Sequence, residues 1–182
     1  MKNVFLALIL AATAFTANAQ QNLVVNGDFE TGNFTGWTKS GNTSLSDVIA
    51  NSVTSNSTYV WRSGATGSLN YISQNLATTV GGLYTLSFDV FNSATSNQTF
   101  EAWFDGALVY SFSNEVQNWT NHGFANLVAT GLSTELKFGV RNDPSFTRLD
   151  NIGVTAVPEP GTYAMLLAGL GILGLSLKRR AS

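Results

Sequence analysis

The chain has 182 residues, no cysteine and a formal net charge of −2. Without cysteine no disulfide can staple the protein, so a folded domain depends on its core or on bound metal. Residues 20–156 hold five bases and ten acids. This balance leaves no basic patch for a phosphate backbone and disfavours nucleic-acid binding.

The start of the chain has the pattern of a secretory signal. Lys2 supplies a positive charge, residues 4–14 form an apolar stretch, and Ala17-Asn18-Ala19 has the small-x-small pattern that signal peptidase cuts after. We therefore predict a signal peptide over residues 1–19 and a mature start at Gln20. The rest of the chain before the C-terminal segment is long enough for one domain with a core of its own.

Residues 20–156 are predicted to form that domain from β-strands. Runs rich in β-branched and aromatic residues are separated by Gly, Asn and Ser turns, and no stretch has a helical period. In one of these runs Leu86, Phe88 and Val90 alternate with polar residues, so one face should pack inward. The predicted strands cover residues 58–62, 84–91, 99–104, 108–112 and 135–141.

Turn residues between the runs indicate how the strands connect. Asp105-Gly106 lies between two of them and predicts a two-residue hairpin, because both central positions of such a turn favour positive φ. The polar segments 51–58 and 92–99 are expected to be surface loops. Antiparallel strands at this spacing favour a jelly-roll β-sandwich, so the predicted fold class is all-β, between a signal peptide and a C-terminal apolar helix.

The two ends of the predicted domain carry a family resemblance. The sequence NLVVNGDFE at 22–30 with GW at 36–37 resembles the opening of galactose-binding-like jelly rolls, which include many carbohydrate-binding modules. The sequences FGV at 138–140 and LDNIGV at 149–154 are similar to the last two strands of such modules. The resemblance implies that the first and last strands lie side by side. It implies little about the ligand, because one fold serves sugar binding, adhesion and structural roles.

In the modules that the chain resembles, a structural calcium often lies where an acid of the opening motif meets an acid of the closing strand. On this sequence the corresponding residues are Glu30 and Asp150, with Asp28 as a weaker third. Calcium takes six to eight oxygen ligands, which carboxylates and turn carbonyls supply. The alternative is that Asp28 caps a turn while the other two acids are hydrogen-bonded or solvated.

Sugar recognition needs flat aromatic faces, and two places in the sequence offer them. Alternation in residues 99–104 sends Trp103 outward between two acids, as expected of a platform. Trp61, with Tyr59 two positions before it, is the other candidate. Each of these residues has a structural alternative, since loops cover many outer faces and alternation read from sequence slips easily.

Polar groups at the edge of a sugar ring bind its hydroxyls. Arg141 and Asn142, at the end of a predicted strand, are the candidates for this role. Trp37 is expected in the core, and Trp119 is expected to pack at the start of a strand.

The residues that catalysis needs are few. His122 is the only histidine and is expected in a solvated turn, no cysteine nucleophile exists, and no Gly-x-Ser-x-Gly motif is present. The number of acids alone does not exclude glycosidase chemistry with two carboxylates. The available acids are Glu101, Glu115, Asp89 and Asp143. A domain of this size leaves little room for a deep cleft beside a core, so we predict that the protein is not an enzyme.

The C-terminal segment, residues 157–182, combines a proline spacer, an apolar stretch and a basic cluster. Residues 163–177 are apolar, and Lys178, Arg179 and Arg180 follow them directly. We predict an apolar helix over 163–177 that holds the tail in a membrane with its basic end on the cytoplasmic side. The domain would then lie outside the cytoplasm.

This segment, with its tripeptide Pro158-Glu159-Pro160, resembles the PEP-CTERM sorting signal of Gram-negative bacteria. The resemblance implies passage through the inner membrane, recognition by an exosortase, removal of the tail and delivery to the cell surface or an exopolysaccharide matrix. The alternative is an ordinary single-span anchor. Fifteen apolar residues at about 1.5 Å each fall short of a hydrocarbon core of ~30 Å, which speaks against the alternative.

Two functions are expected for such a protein. It is a non-catalytic carbohydrate-binding protein sorted to the surface, whose partner is a polysaccharide or glycan, or it is a structural or adhesive matrix protein of the same fold without a sugar site. Solvent exposure of Trp103 and Trp61 discriminates them, because two exposed aromatic faces favour binding and two buried ones favour a structural role.

Overall fold

The computed structural model describes residues 20–52, 57–143, 145–158 and 169–170. Within these residues the chain forms ten β-strands: β1 (Thr38–Gly41), β2 (Ser46–Ala50), β3 (Tyr59–Ser63), β4 (Asn70–Ala77), β5 (Leu83–Asn92), β6 (Gln98–Phe104), β7 (Ala107–Ser113), β8 (Gln117–Val128), β9 (Ser133–Asn142) and β10 (Thr147–Ala156). The predicted signal peptide, the residues Glu159 and Pro160 of the sorting motif, and the basic cluster 178–180 lie outside the described residues.

The strands form two five-stranded sheets. Sheet A has the order β1-β4-β9-β6-β7, and sheet B has the order β2-β3-β10-β5-β8. Neighbouring strands in both sheets run antiparallel. The chain crosses repeatedly from one sheet to the other, as it does in jelly rolls. The prediction of an all-β jelly-roll sandwich is therefore confirmed.

The core lies between the sheets and is built on alternating side chains. Leu86, Phe88 and Val90 of β5 are 0% exposed, which confirms the inward face predicted from their spacing. The ring centroid of Phe88 is 5.2 Å from that of Phe138 and 5.6 Å from that of Phe100. These rings come from both sheets. Burying one such side chain stabilises the fold by about 1.5–3 kcal/mol, so this aromatic contact is a main link between the layers.

The hairpin between β6 and β7 has the predicted turn. Asp105 and Gly106 have φ values of 53° and 77°, so both central residues adopt the left-handed conformation that this turn requires. The Asp105 carboxylate also accepts a hydrogen bond from Thr130 N at 2.7 Å. The hairpin is thereby fixed to the loop between β8 and β9.

The opening motif packs against the closing strand. Leu23 N donates to Val154 O at 2.8 Å, and Ile152 N donates to Gly27 O at 2.9 Å. A side chain at Gly27 would collide with the carbonyl of Ile152, so only glycine permits this close approach. The two ends of the domain therefore lie side by side, although the opening segment forms hydrogen bonds to β10 without becoming a strand.

Trp37 of the opening motif belongs to the core, as predicted. It is 7% exposed, its ring centroid lies 5.8 Å from that of Phe29, and its Nε1 donates to Asn26 O at 3.0 Å.

The C-terminal segment leaves the sandwich at one end of β10. Val157 N donates to Leu83 O at 2.7 Å, and Pro158 is the last residue described before residue 169. In the part of the chain that the structure describes, no helix is long and apolar enough to cross a membrane. The predicted apolar helix falls almost entirely on residues that are not described.

Candidate functional site

The outer face of sheet A carries a group of aromatic and charged side chains, Tyr71, Glu101, Trp103 and Lys137, which we call the platform. Its residues come from the three central strands β4, β9 and β6. Lys137 pairs in register with Trp103. One step along the strands, Gly139 lies between Tyr71 on one side and Glu101 on the other.

Gly139 leaves room on the platform for the ring of Tyr71. A Cβ atom at this position would lie 2.7 Å from Cε1 of Tyr71 and 3.3 Å from Oε2 of Glu101. Such a contact with the ring is too short for real atoms, so any larger residue would displace the Tyr71 side chain. The missing side chain lets the tyrosine ring extend over β9 toward Glu101.

Lys137 lies between the two aromatic rings. Its Nζ is 5.7 Å from the ring centroid of Tyr71 and 5.4 Å from that of Trp103. Each separation is within reach of a cation–π contact, which contributes about 0.5–1 kcal/mol at an exposed site. The same Nζ is 3.6 Å from Oε2 of Glu135. The ammonium is thus held between the rings with its charge balanced.

Glu101 orients the indole of Trp103. Its Oε2 accepts a hydrogen bond from Trp103 Nε1 at 3.0 Å. Burial, together with the negative charge of Glu101, raises the pKa of the Tyr71 hydroxyl above its ordinary value. Tyr71 therefore remains a neutral donor and acceptor at physiological pH. The platform combines two partly exposed aromatic faces with an ammonium, a carboxylate and a phenol, which are groups that bind hydroxyls.

Arg141 lies on the same face, two residues after Gly139 on β9. Its Nε and Nη2 both donate to Asp143 Oδ2, at 3.0 Å and 2.7 Å. Hydrogen bonds from Arg141, and one from Gly67 N, hold the pKa of the Asp143 carboxyl below its ordinary value. The predicted edge group is thus present at the end of the platform, but it is already paired.

Two other predicted ligand residues are buried, and the predictions for them are wrong. Trp61 is 0% exposed, and its Nε1 donates to Ser46 Oγ at 3.0 Å. Asn142 is also 0% exposed, and its amide nitrogen donates to Asn92 Oδ1 at 2.9 Å and Thr147 Oγ1 at 3.1 Å. Both side chains point into the space between the sheets and present nothing to a ligand.

Tyr59 is partly exposed but is separated from Trp103. It lies on β3 of sheet B, and its ring packs beside Gly32. Tyr59 and Trp61 therefore do not form a second aromatic face.

The sequence analysis missed Tyr71 and Lys137. Lys137 could have been found, since Leu136, Phe138 and Val140 alternate in a predicted strand and send Lys137 outward. Tyr71 could not, because its strand β4 has polar residues at inward positions and was not recognised.

His122 was predicted in a solvated turn, and this is also wrong. It lies within β8, partly buried, with its ring centroid 4.4 Å from that of Tyr110. Burial lowers the pKa of its imidazole. It acts as a packing residue at the sandwich edge.

The acids predicted to bind a cation are only partly brought together. Asp150 is 0% exposed, and its Oδ2 has no hydrogen-bond partner among the described residues. Burial raises the pKa of this carboxyl to about 6. Hydrogen bonds from the Ser57 side chain and from Asn151 N act in the opposite direction, while the charges of Asp89 and Glu30 act with burial. Glu30 Oε1 accepts hydrogen bonds from Thr58 N at 2.7 Å and Tyr59 N at 3.1 Å. We refer to Asp150 and Glu30 as the acid pair.

Asp28 is not part of a three-acid cluster with this pair. It lines a separate shallow hollow with Asn22, Asn26, Ser87 and Asn151. Across residues 20–52, 57–143 and 145–158, no three His, Cys, Asp or Glu side chains are grouped as metal ligands. A cation at the acid pair would need backbone or amide oxygens as well.

Comparison with known proteins identifies the C-terminal segment. Residues 156–180 match the PEP-CTERM protein-sorting motif. The chain is therefore an exported protein of the kind that exosortases process. No curated protein matches the sequence.

Solved structures share the fold of the domain. A family 61 carbohydrate-binding module in complex with β-1,4-galactotriose superposes with a TM-score of 0.61 at 18% identity, over 75% of this chain and 99% of the module. The CBM22-1 xylan-binding domain of Xyn10C from Paenibacillus barcinonensis gives 0.57 at 19% identity, over 79% and 99%. The K3 adhesin domain of Lys-gingipain from Porphyromonas gingivalis gives 0.51 at 15% identity, over 72% and 98%. At these identities the likeness concerns the fold.

The domain therefore has the jelly-roll fold of carbohydrate-binding modules. The chain is an exported protein in which this fold precedes a PEP-CTERM sorting motif.

Proposed function

We propose that the protein is a non-catalytic carbohydrate-binding protein whose glycan lies on the platform. The observation that carries this proposal is the placement of Tyr71 and Trp103 on one face, with Lys137 between them. Sugar rings stack on aromatic faces through their C–H side. The charged and phenolic groups at the ring edges then bind the hydroxyls, as polar groups in ligand sites generally fix orientation.

Structural neighbours support the same reading. The family 61 module was solved with a bound galactotriose, and the family 22 domain is described as xylan-binding. Both share the sandwich on which the platform is built. We infer that this chain holds a polysaccharide, either the exopolysaccharide of its own matrix or a foreign glycan.

We propose that the platform binds its glycan without turnover. Within the described residues the nearest acid of the platform, Glu101, is bound to Trp103, and His122 packs against Tyr110 on another part of the fold.

The sorting motif gives the route to the site of action. We propose that the tail holds the protein in the inner membrane of a Gram-negative bacterium until an exosortase cuts at or near Pro158-Glu159-Pro160. The basic residues 178–180 remain on the cytoplasmic side. The domain would then be delivered to the cell surface or the extracellular matrix.

We also propose that calcium binds at the acid pair. The orphaned, buried Oδ2 of Asp150 is the observation that favours a cation. A buried carboxylate oxygen without a partner is costly, and a divalent ion would remove that cost. Glu30 would supply a further oxygen, and the ion would join the opening segment to β10 as a structural element.

A structural or adhesive matrix protein without a sugar site remains the second candidate. Burial of Trp61 favours it, since one of the two predicted aromatic faces does not exist. The adhesin domain of Lys-gingipain shows that a protein described as an adhesin has a related fold.

A binding assay with two variants separates the candidates. The full-length chain in detergent would be screened against a polysaccharide array, and the affinity for the best glycan measured by calorimetry. We expect Trp103→Ala to weaken binding at least tenfold, or about 1.4 kcal/mol. Tyr59→Ala, on the other sheet, serves as the matched control and should leave the affinity unchanged. Equal affinity of all three proteins would refute the platform, and no binding by folded wild type would favour the matrix role.

A further inference from the structure

The outer face of sheet B carries a second row of charged and aromatic side chains. The row runs across four strands in register, from Asp47 on β2 to Arg62 on β3, Arg148 on β10 and Phe91 on β5. Trp119 of the fifth strand continues it, with its ring centroid 5.7 Å from that of Phe91. All five strands of the sheet thus contribute to one line of side chains, which we call the arginine row.

Each of the two arginines of the row contacts an aromatic ring. The Arg62 guanidinium is 4.4 Å from the ring centroid of Phe146, and that of Arg148 is 5.3 Å from the ring of Phe91. A contact with an aromatic face restricts the orientation of a guanidinium. The row is therefore a pre-ordered surface, with little side-chain freedom left to lose on binding.

The charges of the row are not balanced. Arg62 Nη2 contacts Asp47 Oδ2 at 3.4 Å, and that carboxylate side chain is 55% exposed. Among the described residues, the Arg148 guanidinium has no hydrogen bond and no ion pair. Two further acids lie on this face. Asp89 accepts hydrogen bonds from Asn121 at 2.6 Å and Asn151 at 2.8 Å. Asp150, two residues after Arg148 on β10, is buried and accepts a hydrogen bond from Asn151 N at 2.8 Å. One guanidinium in the middle of the sheet is thus left without an anion.

Three N–H donors of the row lack a hydrogen-bond partner within the described part of the chain. Arg62 Nε, Arg148 Nε and Trp119 Nε1 are buried atoms without a hydrogen-bond partner in the described residues. Burial and the positive charge of Arg62 lower the pKa of Arg148, in keeping with two like charges on adjacent strands. Leaving such groups uncompensated is costly, and an anion on the exposed side of the guanidinium pair would offset the repulsion.

We propose that the arginine row binds the carboxylate of an acidic polysaccharide, a uronate residue, between Arg62 and Arg148. Guanidinium groups bind carboxylates through paired N–H donors, which suits a planar uronate group. Trp119 and Phe91 form the aromatic wall beside which the sugar ring lies. This surface is separate from the platform, because it is on the opposite sheet, and it adds an anionic class of glycan to the neutral class expected there.

The test uses the full-length chain in detergent and three probes. Polygalacturonate presents uronate carboxylates on a polysaccharide, galactan of similar length presents none, and inorganic sulfate presents a free anion. We expect Arg148→Gln to lower the affinity for polygalacturonate at least tenfold and to leave binding of galactan unchanged. Arg141→Gln, the same change on sheet A at an arginine paired with Asp143, is the matched control and should retain polygalacturonate binding.

Thermal unfolding provides a readout that does not depend on affinity. Polygalacturonate should raise the Tm of the wild type and not that of Arg148→Gln, whose own Tm in low salt should equal or exceed that of the wild type. Equal polygalacturonate affinity of both proteins would overturn the proposal. Stabilisation by sulfate as strong as that by the polymer would also overturn it, because the row would then be a site for small anions.

Discussion

The outer faces of the two sheets differ in how their charges are satisfied. On sheet A, Lys137 contacts Glu135 and lies between two rings, while Arg141 is bound by Asp143. On sheet B, Arg148 has no acid partner in the described part of the chain. Asp150, also on this sheet, has a buried carboxylate oxygen that accepts no hydrogen bond from the described residues. The alternation of strands places aromatic and charged residues outward on both sheets, but only sheet A balances them within the protein.

This difference determines what each face suits. A platform whose own charges are paired favours a neutral ligand rich in hydroxyls. A face with an unbalanced cation and an unbalanced anion favours ions, a uronate at the arginine row and calcium at the acid pair. Both kinds of surface are built on one sandwich, so the fold alone does not define the ligand.

The largest expected effect is on the free energy of unfolding, and it distinguishes a buried tryptophan from a partly exposed one. Trp61→Ala should destabilise the protein by about 3–5 kcal/mol, because it leaves a cavity where a fully buried ring was. Trp103→Ala should change the free energy of unfolding by less than about 1 kcal/mol, as expected for a partly exposed residue. Denaturant unfolding of the two variants measures the contrast. Similar losses would show that the platform belongs to the core.

The acid pair gives the next effect, through calcium and pH. In chelator the Asp150 carboxyl has a pKa of about 6 in the folded state against an ordinary value of 3.8. Between these values the unfolded chain releases this proton and the folded chain keeps it, so stability should fall as pH rises from about 4 to about 6. Calcium should reverse the fall and raise the Tm at pH 7.

Asp150→Asn is the control for this experiment. The variant keeps the shape of the side chain but has no proton to release, so its stability in chelator should not fall over the same interval. Its Tm should also be independent of calcium. A wild-type Tm that calcium does not change would contradict the proposed ion.

A smaller effect tests the shape of the platform. Gly139→Ala leaves the backbone unstrained, but the added Cβ displaces the ring of Tyr71. We expect glycan affinity to fall a few-fold, less than in Trp103→Ala, with the fold intact by circular dichroism. Gly123→Ala provides the matched control, since a Cβ there meets no atom within 4 Å. A loss of equal size in both variants would contradict the role of the Tyr71 ring in binding.

The sequence predicted the parts of the fold in which burial follows a simple period. In β5 every second residue is apolar and buried, and the Asp105-Gly106 turn has an unambiguous conformational requirement. In β4 the inward positions include Asn70 and Gln74. Gln74 is buried because its amide binds the backbone of Val25 and Gly36, at 2.8 Å to 3.0 Å. Polar residues at inward positions interrupt the apolar alternation of β4. The outward position of Tyr71 therefore could not be predicted from the sequence.

The candidate site was predicted in part for similar reasons. Trp103 was placed correctly because its neighbours in β6 alternate. Trp61 was not, since Val60 and Trp61 are both 0% exposed and alternation cannot decide between two covered faces. The arginine row was invisible in the sequence, because it depends on the lateral register of strands that are far apart along the chain.

The most direct test of the platform uses the indole N–H signals of the four tryptophans. A neutral glycan selected on the array would be titrated into the ¹⁵N-labelled full-length chain, with each signal assigned by substitution. Trp103 Nε1–H is hydrogen-bonded to Glu101 on the platform, so its signal should shift with saturation, while those of Trp37, Trp61 and Trp119 stay in place. Saturable shifts of Trp119 with Trp103 unchanged would contradict the account and place the glycan on the other sheet.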